Sequence, residues 1–384
     1  MPRKIDLTAL LDELGPKCAA RAAEHDASDT FVTENYQALR AAKLFSAQIP
    51  LEIGGGGAGH GEMCAFLRGL AQYCPATALA LSMHQHLVAA AVANDRAGRP
   101  GRKLLDKVAG EEAILVSTGA NDWLESNGKA ERVDGGFRIT AVKPFASGSP
   151  LGDLLITSAA YDDPKEGPQV LHFPLSLKSD GVSFLDDWQT FGMRGTGSQT
   201  VKLDGVFVAE AAVALRRPRG PFHPAFAVIL TVAMPLILST YLGVAQAAAA
   251  IARERARQRP DDPVMPVLVG EMENLLATAE IATEDMIRLA NGFDFTPSLD
   301  LASKVLVRKT IAANAVIATA EKALEVAGGA GLFRKLGLER LLRDAHGAQF
   351  HPLPEKRQQL FTGRIAMGLD PVSGQAAEEK RQAA

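Results

Sequence analysis

Residues 225–252, AFAVILTVAMPLILSTYLGVAQAAAAIA, contain no Asp, Glu, Lys or Arg. The run is long enough to cross a bilayer, for which about 20 apolar residues suffice. It also carries Thr231, Pro235, Ser239, Thr240 and Gln246, and lipid offers such groups no hydrogen-bond partner. A helix enclosed on all sides by other helices accommodates both properties. The run therefore predicts the central helix of a large soluble bundle, with the other elements arranged around it.

The chain is large enough to build that enclosure. Its 384 residues, 47% hydrophobic, can bury a sizeable core in two or three domains. A net charge of -3 excludes the positive field that nucleic acid demands, and Arg216, Arg217 and Arg219 read as one solvated basic loop. Cys18, Cys64 and Cys74 are too few and too scattered for a disulfide framework or a zinc site. The opening MPRKIDLTALLDELG begins an amphipathic helix and lacks a secretory apolar core, so a cytoplasmic protein is expected.

Periodicity divides the chain into three blocks, an α+β multidomain arrangement. Residues 1–112 place apolar side chains three and four apart, as in CAARAAEHDA, YQALRAAKLF and TALALSMHQHLVAAAVAND, which predicts a helical domain. The glycine-rich stretch from Gly54 to Gly61 lacks the preceding strand and following Lys-Ser/Thr of a phosphate loop and reads as a flexible helix-to-helix connection. Residues 113–222 change to short β-branched segments separated by Gly, Asp and Pro, with VDGGF as a hairpin turn, predicting a β-domain. Residues 223–384 return to long helices, 226–257, 264–292 and 299–328, with a shorter pair after Gly337, as in an antiparallel four-helix bundle.

This order, with the segments DDWQTFGMRGTGSQTVKLDGVFV (186–208), GGFRITAVKPFASGSPLGDLLITSA (135–159) and EVAGGAGLFRKLGLERLLRDA (325–345), resembles the acyl-CoA dehydrogenase superfamily over roughly residues 30–370. The resemblance implies a homotetramer or homodimer with a flavin, FAD or FMN, between the β-domain and the bundle. In KPFASG, Phe145 takes the place of an aromatic lying against the isoalloxazine, and Ser147 that of a hydroxyl hydrogen-bonded to flavin N5. Without the resemblance they would read as sandwich core and turn residue. ILVSTGAND resembles the strand and loop that meet the flavin pyrimidine, implicating Ser117 and Asn121. EVAGGAG resembles a segment approaching a neighbouring subunit's cofactor, implicating Glu325, Gly328 and Gly329, the glycines because they permit close backbone approach.

One family feature is missing. Dehydrogenation of an acyl thioester needs a carboxylate to remove the α-proton. Aligned on RDA, the position of the family's late Glu is Pro352, and the alternative position on the first long bundle helix is Ala233. Glu355 is the nearest acid, where the residue pattern reads as a first-turn carboxylate at a helix N-terminus. The diphosphate-clamping loop is likewise replaced by RARQRPDDP, in which Arg257 or Arg259 could meet a phosphate. The branch of flavin-dependent monooxygenases acting in desulfurization and aromatic hydroxylation is similar in these departures. It takes reduced flavin from a separate reductase, forms a C4a-hydroperoxyflavin supported by a hydroxyl at the Ser147 position, and has a histidine at the His351 position to supply a proton. His84 and His86 form a second pair, at a position facing substrate or peroxide in that branch. The substrate is then a small aromatic or heteroatom compound. Two alternatives stay open: a dehydrogenase acting on an acyl thioester with a relocated base such as Glu355, and a non-catalytic member retaining the fold.

Overall fold

The computed structural model describes residues 4–119 and 125–375; Asn121 lies outside them. The N-terminal helices are α1 (Leu7–Ser28), α2 (Thr33–Ala41), α3 (His60–Tyr73), α4 (Pro75–Arg96) and α5 (Arg102–Glu111). The uncharged run forms most of α6 (Pro224–Arg257), which packs against α3, α4, α7 (Met265–Ala290) and α8 (Leu299–Ala327). Leu236, Leu238, Leu242 and Val244 are fully buried, and each such side chain contributes about 1.5–3 kcal/mol. The helix is thus held around its circumference. Thr240 returns its hydroxyl to the Leu236 carbonyl, so that polar group needs no outside partner. Both α4 and α6 are long and apolar enough to cross a membrane, and both are largely buried within the protein.

After α8, the short α9 (Leu338–Ala345) and α10 (Glu355–Ala366) return along the bundle, joined by a turn over residues 346–354. Among the described residues, the β-domain is one sheet of β1 (Leu115–Ser117), β2 (Lys129–Val133), β3 (Gly136–Ala146), β4 (Leu154–Asp163), β5 (Gly167–Ser176), β6 (Val182–Phe184), β7 (Gln199–Ala209) and β8 (Leu215–Pro218); its order is β6-β7-β3-β2-β4-β5-β8, with β1 parallel to β4. The VDGGF turn joins β2 (Lys129–Val133) to β3 (Gly136–Ala146), with Gly135 at φ 72°.

A bulge in β3 positions part of the site. Lys143 pairs with Val201 of β7 (Gln199–Ala209), yet Ala146 pairs with Gln199, so β3 carries one residue more than its partner. Phe145 absorbs the mismatch at φ 61°, and its ring stands 59% exposed.

Two expectations change in the tertiary structure. His84 is a structural staple: one ring nitrogen lies 2.8 Å from the Phe45 carbonyl, and the other accepts the Leu115 N–H at 2.9 Å. It pins β1 to the helical domain and has no nitrogen left for substrate. The glycine segment, expected to be flexible, is tightly hydrogen-bonded, with Gly56 N–H on the Ser46 carbonyl and Ala58 N–H on the Ala47 carbonyl. A Cβ on Gly55 would sit 2.3 Å from the Ile49 carbonyl oxygen, so these glycines serve close backbone packing.

Candidate active site

A cavity of about 590 Å³ opens between the sheet, α4, α6 and the turn before α10. The β-domain contributes Ser117 and Gly119 beyond β1, Phe145 and Ser147 from the bulge, and Trp188 and Ser198 from the segment ahead of β7. Phe145 meets Trp188 edge-on at 5.9 Å, and the Trp188 indole donates to the Met193 carbonyl at 3.2 Å. Behind Phe145 three hydroxyls form a chain: Ser147 to Ser198 at 2.7 Å, Ser198 to Thr196 at 2.7 Å, and Thr196 to the Met193 carbonyl at 2.9 Å.

The helical side is apolar. Leu79 and Met83 of α4, with Phe226, Ile229, Ala233 and Met234 of α6, line it together with Leu306 of α8. His86 interrupts this wall. Its Nδ1 lies 3.3 Å from the Ser82 carbonyl, and burial pulls its pKa down to about 4, keeping the ring neutral.

One end of the cavity is built by Tyr241 and His351. The Tyr241 hydroxyl is 2.8 Å from His351 Nε2, and both residues line the cavity. Burial, with smaller contributions from the charge of Lys309 and from His86, pulls His351 down to about 3, while burial raises Tyr241 well above its ordinary value. The pair is therefore neutral across ordinary pH. Lys309, buried on α8, donates to the Leu353 carbonyl at 3.0 Å and the Gln349 carbonyl at 3.4 Å, bracketing His351 in its turn. The loop ahead of β7 is anchored separately, by Met193 N–H on the buried Asp344 carboxyl at 2.5 Å.

Ser117, Phe145, Ser147, His86 and His351 thus converge on one cavity. Glu325, Gly328 and Gly329 do not line it. Glu325 is paired with Lys322 at 2.6 Å, and Gly328 ends α8 at φ 65°. Arg259 donates to the Val326 carbonyl and Arg257 pairs with Glu254, so both arginines have partners within the chain. Ala233 and Pro352, the two positions where a dehydrogenase base is expected, do face the cavity. Among its described lining residues there is no carboxylate. Glu355 is not one of them: it meets Lys356 at 2.8 Å and Asn314 at 3.3 Å, and chiefly its bond to Lys356 holds its pKa below the usual range. Sequence reasoning missed Tyr241, Trp188, Thr196, Ser198 and Lys309. Tyr241 carried a signal, a phenol inside an uncharged run. Thr196 and Ser198 lie inside DDWQTFGMRGTGSQTVKLDGVFV with no local feature to mark them.

A helical domain, a central sheet and a helical bundle around a cavity able to hold a flat cofactor define a class of flavoenzyme fold. Residues 12–109 match the acyl-CoA dehydrogenase N-terminal domain and residues 236–355 the acyl-CoA dehydrogenase C-terminal domain. The chain belongs to this family. Dibenzothiophene monooxygenase of Rhodococcus erythropolis is 26% identical over 386 residues, covering 90% of this chain and 89% of that protein. Amino sugar nitrososynthase RubN8 of Streptomyces rubradiris is 27% identical, covering 96% and 89%. The structure of KijD3 in complex with FMN and a dTDP-linked amino keto sugar superposes with a TM-score of 0.85 at 25% identity, covering 94% of this chain and 93% of that one.

Proposed function

We propose that this flavin-dependent oxidoreductase is a monooxygenase that uses reduced flavin, FMN in the first instance, to insert one atom of O2 into a small uncharged molecule. The observation that carries the reading is the neutral Tyr241–His351 pair at one end of the cavity, where no described lining residue is a carboxylate. Removal of an α-proton needs a base at that place. A hydrogen-bonded phenol and imidazole instead hold a proton ready to donate.

The residues fit a flavin. Phe145 presents an exposed ring edge-on to Trp188, giving a flat cofactor an aromatic flank, and Ser147 sets a polar atom beside it. When bound, reduced flavin supplies the two electrons for oxygen activation. The chain's own part is to exclude water with the apolar wall, orient the substrate against it, and hold a proton on the Tyr241–His351 pair. The bond holds one proton between the Tyr241 oxygen and His351 Nε2, and either atom can be its donor, according to the imidazole tautomer.

The wall also favours a substrate class. Its lining cations are committed elsewhere: Lys143 donates to the Asn127 and Ser158 carbonyls, and Arg343 to Asp26 and Glu339. A phosphorylated substrate finds no ready partner there, whereas an apolar ring or thioether meets Leu79, Met83, Phe226 and Met234. His86 is placed to bind a polar substituent. The same proposal includes a cytoplasmic homodimer or homotetramer receiving flavin from a separate reductase. Exposed Ile281, Leu332, Phe333 and Met367 support an assembly, in which Glu325, Gly328 and Gly329 reach a neighbour's cofactor.

The test supplies photoreduced FMN and 18O2 to the protein with a panel of uncharged aromatic heterocycles and thioethers. One labelled oxygen in a product is expected, with no bleaching of protein-bound oxidised flavin by acyl-CoAs. Bleaching by an acyl-CoA, without oxygen transfer to any panel member, would reinstate the dehydrogenase.

A further inference from the structure

We propose that Thr196 and Ser198 orient the Ser147 hydroxyl as a hydrogen-bond acceptor toward the flavin, so that the site selects the reduced cofactor over the oxidised one. The inference rests on the flavin reading above and concerns residues with no role assigned so far.

The polarity of the chain follows from its end. A carbonyl oxygen only accepts, so Thr196, bonded to the Met193 carbonyl at 2.9 Å, commits its single hydrogen there. Ser198, 2.7 Å from the Thr196 oxygen, must then be the donor in that bond. Ser147, 2.7 Å from Ser198, must in turn donate to Ser198. All three side chains are buried and border the cavity, so a bound cofactor closes them off from the water that would let the hydroxyls reorient freely. The terminal carbonyl is itself held in place. It accepts the Trp188 indole N–H at 3.2 Å, and its residue is anchored through N–H to Asp344.

Ser147 lines the cavity two residues beyond Phe145 and has only lone pairs left to offer. Oxidised flavin has a bare lone pair at N5, which would face another lone pair. Two-electron-reduced flavin carries a hydrogen at N5, which Ser147 can accept. A hydroxyl at this position could serve either redox state; the relay behind it decides which.

The test measures anaerobic dissociation constants for oxidised and dithionite-reduced FMN by titration calorimetry on the full chain, which needs no turnover. Wild type should bind reduced FMN more tightly. Ser198→Ala removes the acceptor of the Ser147 hydrogen and frees Ser147 to donate to N5. It should tighten oxidised FMN and shrink the preference about tenfold, as one redirected hydrogen bond of about 1.4 kcal/mol implies. Thr196→Ser, which rebuilds the relay, should retain the wild-type ratio. A merely structural role for Ser198 would weaken both states together, and that result overturns the proposal. So does a wild-type protein that binds the two states equally. Failure to bind either state would instead remove the flavin reading beneath it. Circular dichroism confirms that each variant is folded.

Discussion

The Tyr241 hydroxyl lies 2.8 Å from His351 Nε2, across 110 residues of chain. It ties the most apolar helix of the protein to the turn before α10. Nothing local requires this: a buried phenol must find a hydrogen-bond partner, and the imidazole is the one the fold provides.

If this pair holds the proton used in oxygen transfer, His351→Ala should separate flavin oxidation from product formation. Reduced flavin is still oxidised, but oxygen leaves as hydrogen peroxide and product per flavin falls about 100-fold, the low end of a general acid's effect. Tyr241→Phe keeps the ring packing and removes one hydrogen bond, so about a tenfold loss is expected. Peroxide and product yields measured together decide it. Unchanged coupling in both variants would exclude the pair from the chemistry.

Phe145 has an exposed ring on a bulge, so its value lies in what it touches when the cofactor is bound. Phe145→Ala should weaken FMN binding about 3- to 10-fold, equivalent to an aromatic contact of about 0.5–1.5 kcal/mol. The melting temperature of the cofactor-free protein should barely move, because little packed surface is lost. Fluorescence titration and thermal melts separate the two effects. A large drop in melting temperature with unaltered affinity would make Phe145 a structural residue.

Stability should fall steeply in mild acid. Burial pulls His60, His84 and His86 to about 4, and His172 and His351 to about 3. The unfolded chain protonates its histidines near 6.5. Below that pH it takes up protons the folded state refuses, so stability present above about 6.5 is lost as pH falls toward 4. Asp344, pushed up to about 7 by burial, acts oppositely: its contribution is present below about 4 and lost as pH rises through 7. Five histidines outweigh one aspartate, and melting should be lower at pH 5 than at pH 7.5. Asp344→Asn keeps an acceptor for Met193 N–H without the buried charge, and should raise the melting temperature at pH 8. A decrease there would show that the carboxylate form is the one the fold needs.

Glu355→Gln should leave product formation unchanged and shift stability by less than about 0.5 kcal/mol, as expected for a surface change. Steady-state kinetics and a melt suffice. Loss of activity would return Glu355 to the chemistry although it is not among the described lining residues of the cavity.

The long helices were legible because periodicity and Pro or Gly breaks are local signals. The run 299–328 was read within a residue of Leu299–Ala327. Phe145, Ser147 and His351 are implied by the family resemblance of short segments, and each does line the cavity. His84 and His86, two residues apart on one helix, could not be distinguished in the same way. One nitrogen-by-nitrogen environment makes His84 a staple to Phe45 and Leu115, and another leaves His86 at the cavity wall. Such environments are set by segments distant in the chain.

The order of amino acids determined that residues 225–252 must be enclosed by other helices, that a β-domain lies between two helical blocks, and that neither expected base position, Ala233 or Pro352, carries an acid. The first two follow from hydrophobicity and periodicity, and the third from residue identity at the positions the family resemblance implies. Tertiary structure alone decided that Tyr241 meets His351, that Lys309 brackets the turn carrying it, and that Thr196 and Ser198 stand behind Ser147. A hydrogen bond acts over about 3 Å and has a direction, and only the folded chain brings distant groups within that reach.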